Sequence, residues 1–424
     1  MTAGTRGDVA PYAGLGQALH AAGHQVTVTT HAIFDGLVTG AGLAFRPLPG
    51  DPLAAQRSPA GARLHRHGGG LRGAVEFLRL GRRFLDELGT GLLDAGADAD
   101  VLLLATAAAP LGYSVAERRG IPSLGVFLQP AAPTGDFPPV VLGRRSWGRW
   151  GNRALGRAGG AVSARAYAEV SRRLRARLGL PSVDLPELNR RAERQRWRVL
   201  HGISPAVLPR PADWRPGLEM VGYWWPPAQP HVEPPADLVD FLAAGPAPVL
   251  VSFGSMAGLG ATTARVVAQA LRQAGVRGIV QAGWSDLRVD GDDLLTVGEV
   301  PHDWLLPRVA AVVHHAGAGT TAAGLRAGVP AVPVPVLADQ PFWASRLARL
   351  GAGTRPVPVR LLTVDGSGTG RSGTGRSGAG RLAAAIRDAV HRPEIAANAR
   401  RIATRIAAED GTTAVRRALA DLPP

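Results

Sequence analysis

Residues 310–327, AAVVHHAGAGTTAAGLRA, read as a strand, a turn and a helix in direct succession. The apolar run at 311–314 has the character of a buried strand. Ala316, Gly317, Ala318, Gly319, Thr320 and Thr321 make a turn of small residues, and helix formers continue to Ala327. Small side chains let backbone amides approach a phosphate closely, and a helix N-terminus adds unpaired N–H donors with a partial positive charge. His315 can donate to a phosphate oxygen there, and Thr320 and Thr321 can add hydroxyl donors. A glycine turn alone has a second reading, the simple packing of a helix on a sheet. His314 reads as a packed strand residue.

The same alternation extends in both directions. Residues 249–253, 278–281, 294–298 and 331–334 read as further strands of a second half, each followed by a turn. In the first half, 26–30, 43–48, 101–105 and 123–128 read as strands, with helical patterns between them such as 15–22, where Leu15, Ala18, Leu19 and Ala22 share one face. The chain of 424 residues exceeds what one hydrophobic core usually fills. The expected fold is α/β, with two facing doubly wound parallel-sheet (Rossmann-like) domains that hold ligand at the carboxyl ends of their strands. Pro and Trp dominate 205–235, a composition that cannot sustain helix. This sets an acceptor domain at 1–225, a linker at 226–235 and a nucleotide domain at 236–424, with the last helices (382–390, 394–408 and 413–420) free to pack back on the first domain. The Gly/Ser/Thr/Arg repeat at 365–381 reads as a flexible loop. Only Met1, Thr2 and Ala3 precede Gly4, so the expectation is that the natural start lies upstream and most of a central first strand is missing.

The absence of cysteine excludes disulfides, thiolate catalysis and cysteine-bound zinc. No lysine occurs in the sequence, so the formal charge of +15 comes from arginine alone, alongside 55 Gly and 35 Pro. That pattern reports a GC-rich coding bias, and no nucleic-acid partner is expected. The densest basic stretch, 144–177, carries Trp147 and Trp150 and is either a solvated helical face or a peripheral membrane contact. No leader or spanning segment is visible, which suits a cytoplasmic protein.

The stretch 299–344, EVPHDWLLPRVAAVVHHAGAGTTAAGLRAGVPAVPVPVLADQPFWA, resembles the donor-binding signature of family-1 GT-B glycosyltransferases, in particular their bacterial, sterol-glucosyltransferase-like and antibiotic-tailoring branch. In plant members the motif reads H-C-G-W-N-S-T-L-E, then G-V-P, then P-x-x-x-D-Q. Here His315 keeps its distance to Gly328-Val329-Pro330, and Pro335 precedes Asp339-Gln340 at the same spacing. The resemblance implies a UDP- or dTDP-linked sugar donor. Its diphosphate would meet His315, Gly317, Gly319, Thr320 and Thr321, and its sugar hydroxyls Asp339 and Gln340. VSFGSM (251–256) resembles the family's other strand-end turn and implies Gly254 and Ser255 at the β-phosphate. The plant ribose-binding glutamate falls at Ala323, and Glu299 and Val300 occupy the base-contacting region. Trp284 is a candidate to lie over the base or, alternatively, a core residue.

At the N-terminus, GTRGDV (4–9) resembles the branch motif G-[ST]-R-G-D-V, which implies Asp8 as catalytic base. A carboxylate in reach of a hydroxyl can take its proton as the oxygen attacks an anomeric carbon. The other reading of Asp8 is a cap for the helix that follows. Asp98-Ala99-Asp100 and 290–293 read as solvated turns, so no metal and no bound cofactor is expected. The function implied is an inverting hexosyltransferase, moving a hexose or deoxyhexose onto a hydroxyl of an apolar small molecule such as a natural-product aglycone or sterol. The alternatives are a nucleotide-sugar 2-epimerase and a non-catalytic homologue acting as a partner protein. Acceptor choice is expected in the loops at 57–72 and 130–149.

Overall fold

The computed structural model describes all residues except 60, 62–80, 82–83, 94–95, 144, 228–232, 257–258, 364–376 and 423–424. Two compact units emerge. One comprises Met1–Ala228 with Glu409–Pro424, and the other comprises Gln229–Ala408. The final helix, Gly411–Ala420, therefore belongs with the first unit, where Val415 and Ala418 pack with Leu15, Leu19 and Leu124.

In the first unit, β1 (Thr27–His31) pairs in parallel with β2 (Ala44–Leu48). A second parallel set runs in the order β3 (Leu102–Leu104), β4 (Ser123–Phe127), β5 (Val199–His201), β6 (Leu218–Met220). The first residues join the two sets: Thr2 N–H donates to the Thr29 carbonyl (3.0 Å), while the Met1 amine donates to Leu103 O (2.8 Å) and Ala105 N–H to Met1 O (3.0 Å). The helix Arg6–Ala21 follows at once, so Asp8 sits in its first turn, just past the carboxyl end of this central segment.

In the second unit, all five strands are parallel, in the order β11-β10-β7-β8-β9, where β7 is Val249–Ser252, β8 Gly278–Gln281, β9 Leu294–Val297, β10 Ala311–His314 and β11 Ala331–Pro333. Strands covered on both faces read as unbroken apolar runs, and Val249, Leu250 and Val251 are fully buried. The helix Gly260–Ala274 turns Val267, Ala270 and Leu271 into this core and packs on the helix Gly378–His391. It ends at Gly275, whose φ of 70° is the left-handed cap geometry that favours glycine. Truncating the fully buried Leu271 to alanine costs about 2–5 kcal/mol.

Two sequence expectations change. β5 and β6 were not anticipated: each has three residues, in RWRVLHG and PGLEM, too short for periodicity to emerge from the arginine, tryptophan and proline around them. The repeat at 365–381 is not loop throughout, because Ser377 caps Gly380 N–H (3.1 Å) and opens the helix Gly378–His391; residues 365–376 lie outside the described residues. The basic stretch is almost wholly one helix, Gly148–Arg177. Most of the loop at 57–72 lies outside the described residues. Among those described, no helix is long and apolar enough to cross a membrane.

Candidate active site

In the second unit the chain leaves β7 for β8 and β9, then crosses to β10 on the other side of β7. Open parallel sheets take ligands outside the carboxyl ends of their strands where the order reverses in this way. β7 and β10 end side by side, Ser252 opposite His314, and their turns carry Gly254 and His315. Gly254 adopts φ +55°, and its carbonyl accepts the Trp284 N–H at 3.2 Å, which draws the turn after β8 under the turn after β7. A Cβ on Gly283 would lie 2.8 Å from that same carbonyl.

The His315 imidazole is held between two glycines. A Cβ on Gly254 would stand 3.1 Å from its Cε1, and one on Gly317 would collide with its Nε2. Its Nδ1 is enclosed, and the ring engages the Ser252 backbone. Burial, with help from nearby His302, pushes the imidazole down to about 4. A neutral ring donates a hydrogen bond without bringing a full charge. Ala316, fully buried, takes φ +60°, a conformation costing a non-glycine residue on the order of 1 kcal/mol. The helix Ala318–Arg326 then begins with Gly317 as N-cap and no side-chain cap. The first intrahelical bond is Thr321 N–H to Gly317 O (2.9 Å), which leaves the N–H groups of Ala318, Gly319 and Thr320 without helical acceptors. Nothing stands within 4 Å of where a Gly319 Cβ would be, so this end of the helix is open. Thr321 is buried, and its hydroxyl has no partner.

The remaining expected donor residues surround this turn less uniformly. Ser252 Oγ donates to Gln281 Oε1 (2.8 Å), and Gln281 Nε2 to the Val300 carbonyl (3.4 Å), which fixes Val300 against the strand ends. Trp284 and Ser255 are half-buried. Asp339 precedes the helix Gln340–Arg349, and its Oδ2 accepts from Trp343 Nε1 at 2.8 Å. Gln340 is turned inward instead: its Oε1 accepts from Val336 N–H (2.8 Å) and Leu337 N–H (3.0 Å), and its Nε2 points at Met256 Sδ (3.4 Å). His314 is fully buried, and its Nδ1 accepts the Ala316 N–H at 3.2 Å.

In the first unit, Thr5 caps the helix Arg6–Ala21 and Asp8 is the third helical residue. Asp8 Oδ2 accepts from Thr5 N–H (2.8 Å), the carboxylate half of a capping box, and also from Thr5 Oγ1 (3.0 Å). The cap thus engages Oδ2 of a half-buried carboxylate. Gln129 also hydrogen-bonds this side chain, and Gln129 Oε1 in turn accepts from Thr106 Oγ1 at 2.9 Å. Burial raises the Asp8 carboxyl above its ordinary value, outweighing the Thr5 and Gln129 hydrogen bonds and the nearby His31, which lower it. Gly4, at φ +137°, leaves no room for a side chain beside this carboxylate.

Two family profiles match the chain: the glycosyltransferase family 28 N-terminal domain over residues 1–137, and the erythromycin biosynthesis protein CIII-like C-terminal domain over residues 279–422. The chain is 36% identical to O-mycaminosyltylonolide 6-deoxyallosyltransferase of Streptomyces fradiae over 97% of its own length and 94% of that protein. The chain belongs to the GT-B glycosyltransferases. A sterol 3-beta-glucosyltransferase of Arabidopsis thaliana is 34% identical over 85% of the chain, which spans 57% of that longer protein. The glycosyltransferase of kitacinnamycin shares the fold at a TM-score of 0.68 and 21% identity, covering 100% of this chain and 98% of its own. Spinosyn rhamnosyltransferase complexed with thymidine diphosphate does so at 0.60 and 18%, covering 99% and 100%.

The transferase is therefore a nucleotide-sugar-dependent enzyme of the hexosyl-transfer class. Among its described residues no group of three histidines, aspartates or glutamates is placed to hold a metal, and Asp98 pairs with Arg46 (3.4 Å) at the surface. Sequence reasoning missed Thr5, Thr106, Gln129 and Trp343 as supports of the site. Trp343 lies one helical turn beyond Asp339 and carried a readable signal, whereas Thr106 and Gln129 meet only because β3 and β4 are neighbours.

Proposed function

We propose that this transferase moves a deoxyhexose from a thymidine- or uridine-diphosphate sugar to a hydroxyl of an apolar, macrolide-like aglycone, with inversion at the anomeric carbon. The observation that carries this reading is the uncapped helix at Ala318, its three vacant N–H donors beside a neutral His315 pinned between two glycines. Such a turn suits a departing diphosphate: the amides and imidazole are fixed donors that stabilise negative charge as it develops. Asp8 takes the proton of the acceptor hydroxyl, the oxygen attacks the anomeric carbon, and the nucleoside diphosphate leaves with the bonding electrons. A carboxylate whose pKa is raised by burial is a stronger base than an exposed one. The sugar hydroxyls meet Asp339, which Trp343 holds in place, while Gln340 is committed to the 336–337 backbone and shapes the loop beside it. The Streptomyces fradiae relative, named for 6-deoxyallosyl transfer to a macrolide, supports the choice of deoxysugar and acceptor over a sterol and glucose.

The test is a matrix of thymidine-diphosphate deoxyhexoses and UDP-glucose against macrolide aglycones and sterols, read by product mass. A gain of one deoxyhexosyl unit on a macrolide supports the reading; turnover with sterol and UDP-glucose alone overturns it.

A further inference from the structure

The first unit displays four large apolar side chains within ten residues: Val141 is 65% exposed, Leu142 58%, Trp147 58% and Trp150 90%. Soluble proteins seldom leave bulky apolar groups so bare and so close in sequence without a use. The segment bearing them is firmly built. Asp213 accepts from Thr134 Oγ1 (2.6 Å) and Gly135 N–H (2.8 Å) and pairs with Arg153 (3.0 Å). Asn152, itself buried, accepts the Trp147 N–H (2.9 Å) and donates to Gly135 O (3.1 Å) and Ser146 Oγ (3.0 Å). A side chain on Gly151 would strike the Trp147 Cβ at 2.7 Å, so the root of the Trp147 side chain packs against a glycine. Exposure here is held in place by a buried polar network.

The sequence stretch that bears these side chains is basic. Between Asp136 and Glu169 the sequence contains arginines at 144, 145, 149, 153, 157 and 165 and no carboxylate. Arg145 stacks over the Trp147 ring at 4.8 Å, and Asp136 is occupied by Arg149 and the Ala212 N–H. We propose that this tip seats the enzyme on the headgroup layer of an anionic lipid bilayer. Trp147 and Trp150 lie at the level of the headgroups, Val141 and Leu142 enter the acyl boundary, and the exposed Arg145 and Arg157 face lipid phosphates. Indole rings favour that interface because one edge is apolar and the other donates a hydrogen bond, and guanidinium groups pair with phosphate. A bilayer satisfies both halves of the surface at once, apolar depth under an anionic layer. The docking uses no donor-site residue, and because Val141, Leu142 and Trp147 share the 130–149 segment with the expected acceptor loop, it is tested without donor or acceptor.

The full chain is sedimented with vesicles of phosphatidylcholine alone and of phosphatidylcholine containing about one third phosphatidylglycerol, at low and physiological salt, with no sugar donor or aglycone present. The protein is expected to pellet with the anionic vesicles only. The variant V141S/L142S/W150S, which keeps every arginine, is expected to lose partitioning by about tenfold or more with an unchanged circular dichroism spectrum and melting temperature. Three results overturn the proposal. In the first, the wild type stays in the supernatant with anionic vesicles. In the second, the variant binds as well as the wild type, which assigns the attraction to net charge. In the third, the wild type is a dimer that the same substitutions convert to monomer, which assigns the tip to a second copy of the chain.

Discussion

Gly317 exists as glycine because the His315 imidazole occupies the space its side chain would need. The two residues share one small volume at the head of the helix, so the histidine can be displaced without being replaced.

Gly317→Ala is accordingly expected to act like removal of His315. Both Gly317→Ala and His315→Ala should weaken binding of free nucleoside diphosphate by about tenfold or more, the worth of one charge-assisted hydrogen bond. Titration calorimetry with UDP and TDP reads this directly, and unchanged affinity in both variants would remove the imidazole from the diphosphate site.

Asp8→Asn is expected to lower kcat by about 10²–10⁴ while leaving nucleoside-diphosphate affinity intact. The carboxyl is raised in the folded state, so the native protein keeps this proton over a window in which the unfolded chain has already lost it. Ionised Asp8 thus subtracts stability at pH values above that window, and the asparagine variant should melt no lower than wild type at neutral pH. The acid limb of kcat/KM should fall above 3.8, the ordinary aspartate value. Turnover within a few-fold of wild type in D8N would exclude Asp8 as the base.

Trp343→Phe removes the N–H that aims Asp339 but preserves the packing of an aromatic ring. The expected result is a several-fold rise in KM for the sugar donor with little change in the Kd of free nucleoside diphosphate, because only the sugar end is disturbed. Equal losses in both would place the tryptophan's effect on the whole domain instead.

His201 predicts a pH response of stability. The ring is buried beside Trp214, its Nδ1 donates to Glu219 O at 3.0 Å, and burial pushes it down to about 4. A histidine depressed in the folded state contributes stability above its unfolded pKa of 6.5 that is lost as pH falls toward 4. Melting temperature should therefore drop across that interval. His201→Phe should flatten part of the drop while costing a little at pH 7; an identical pH profile would show that other groups, such as His314 at about 3, dominate it.

Much of this architecture was readable because fully covered parallel strands announce themselves as apolar runs, as at 249–252 and 311–314. The turn at His315 was legible for the same reason: strand, small residues and helix follow one another locally. What escaped is what long-range neighbours decide. The three-residue strand β5 owes its existence to β4 beside it and β6 to β5 in turn, and the Thr106–Gln129–Asp8 contacts join residues far apart in the chain. The sign of the Asp8 perturbation was likewise invisible, since burial opposes the hydrogen bonds from Thr5 and Gln129 and only three-dimensional enclosure sets their sizes. Gln340 looked free to meet a sugar, and its commitment to the 336–337 backbone followed from a loop conformation that composition does not encode.

The carbonyl of Gly254, shared between the turns after β7 and β8 while His315 presses on the same glycine, makes three chain segments interdependent. Engineering that seeks a different nucleotide by swapping one of them between homologues would strand the other two. Segments 252–256, 282–286 and 314–321 form a single heritable cassette, to be exchanged together or left alone.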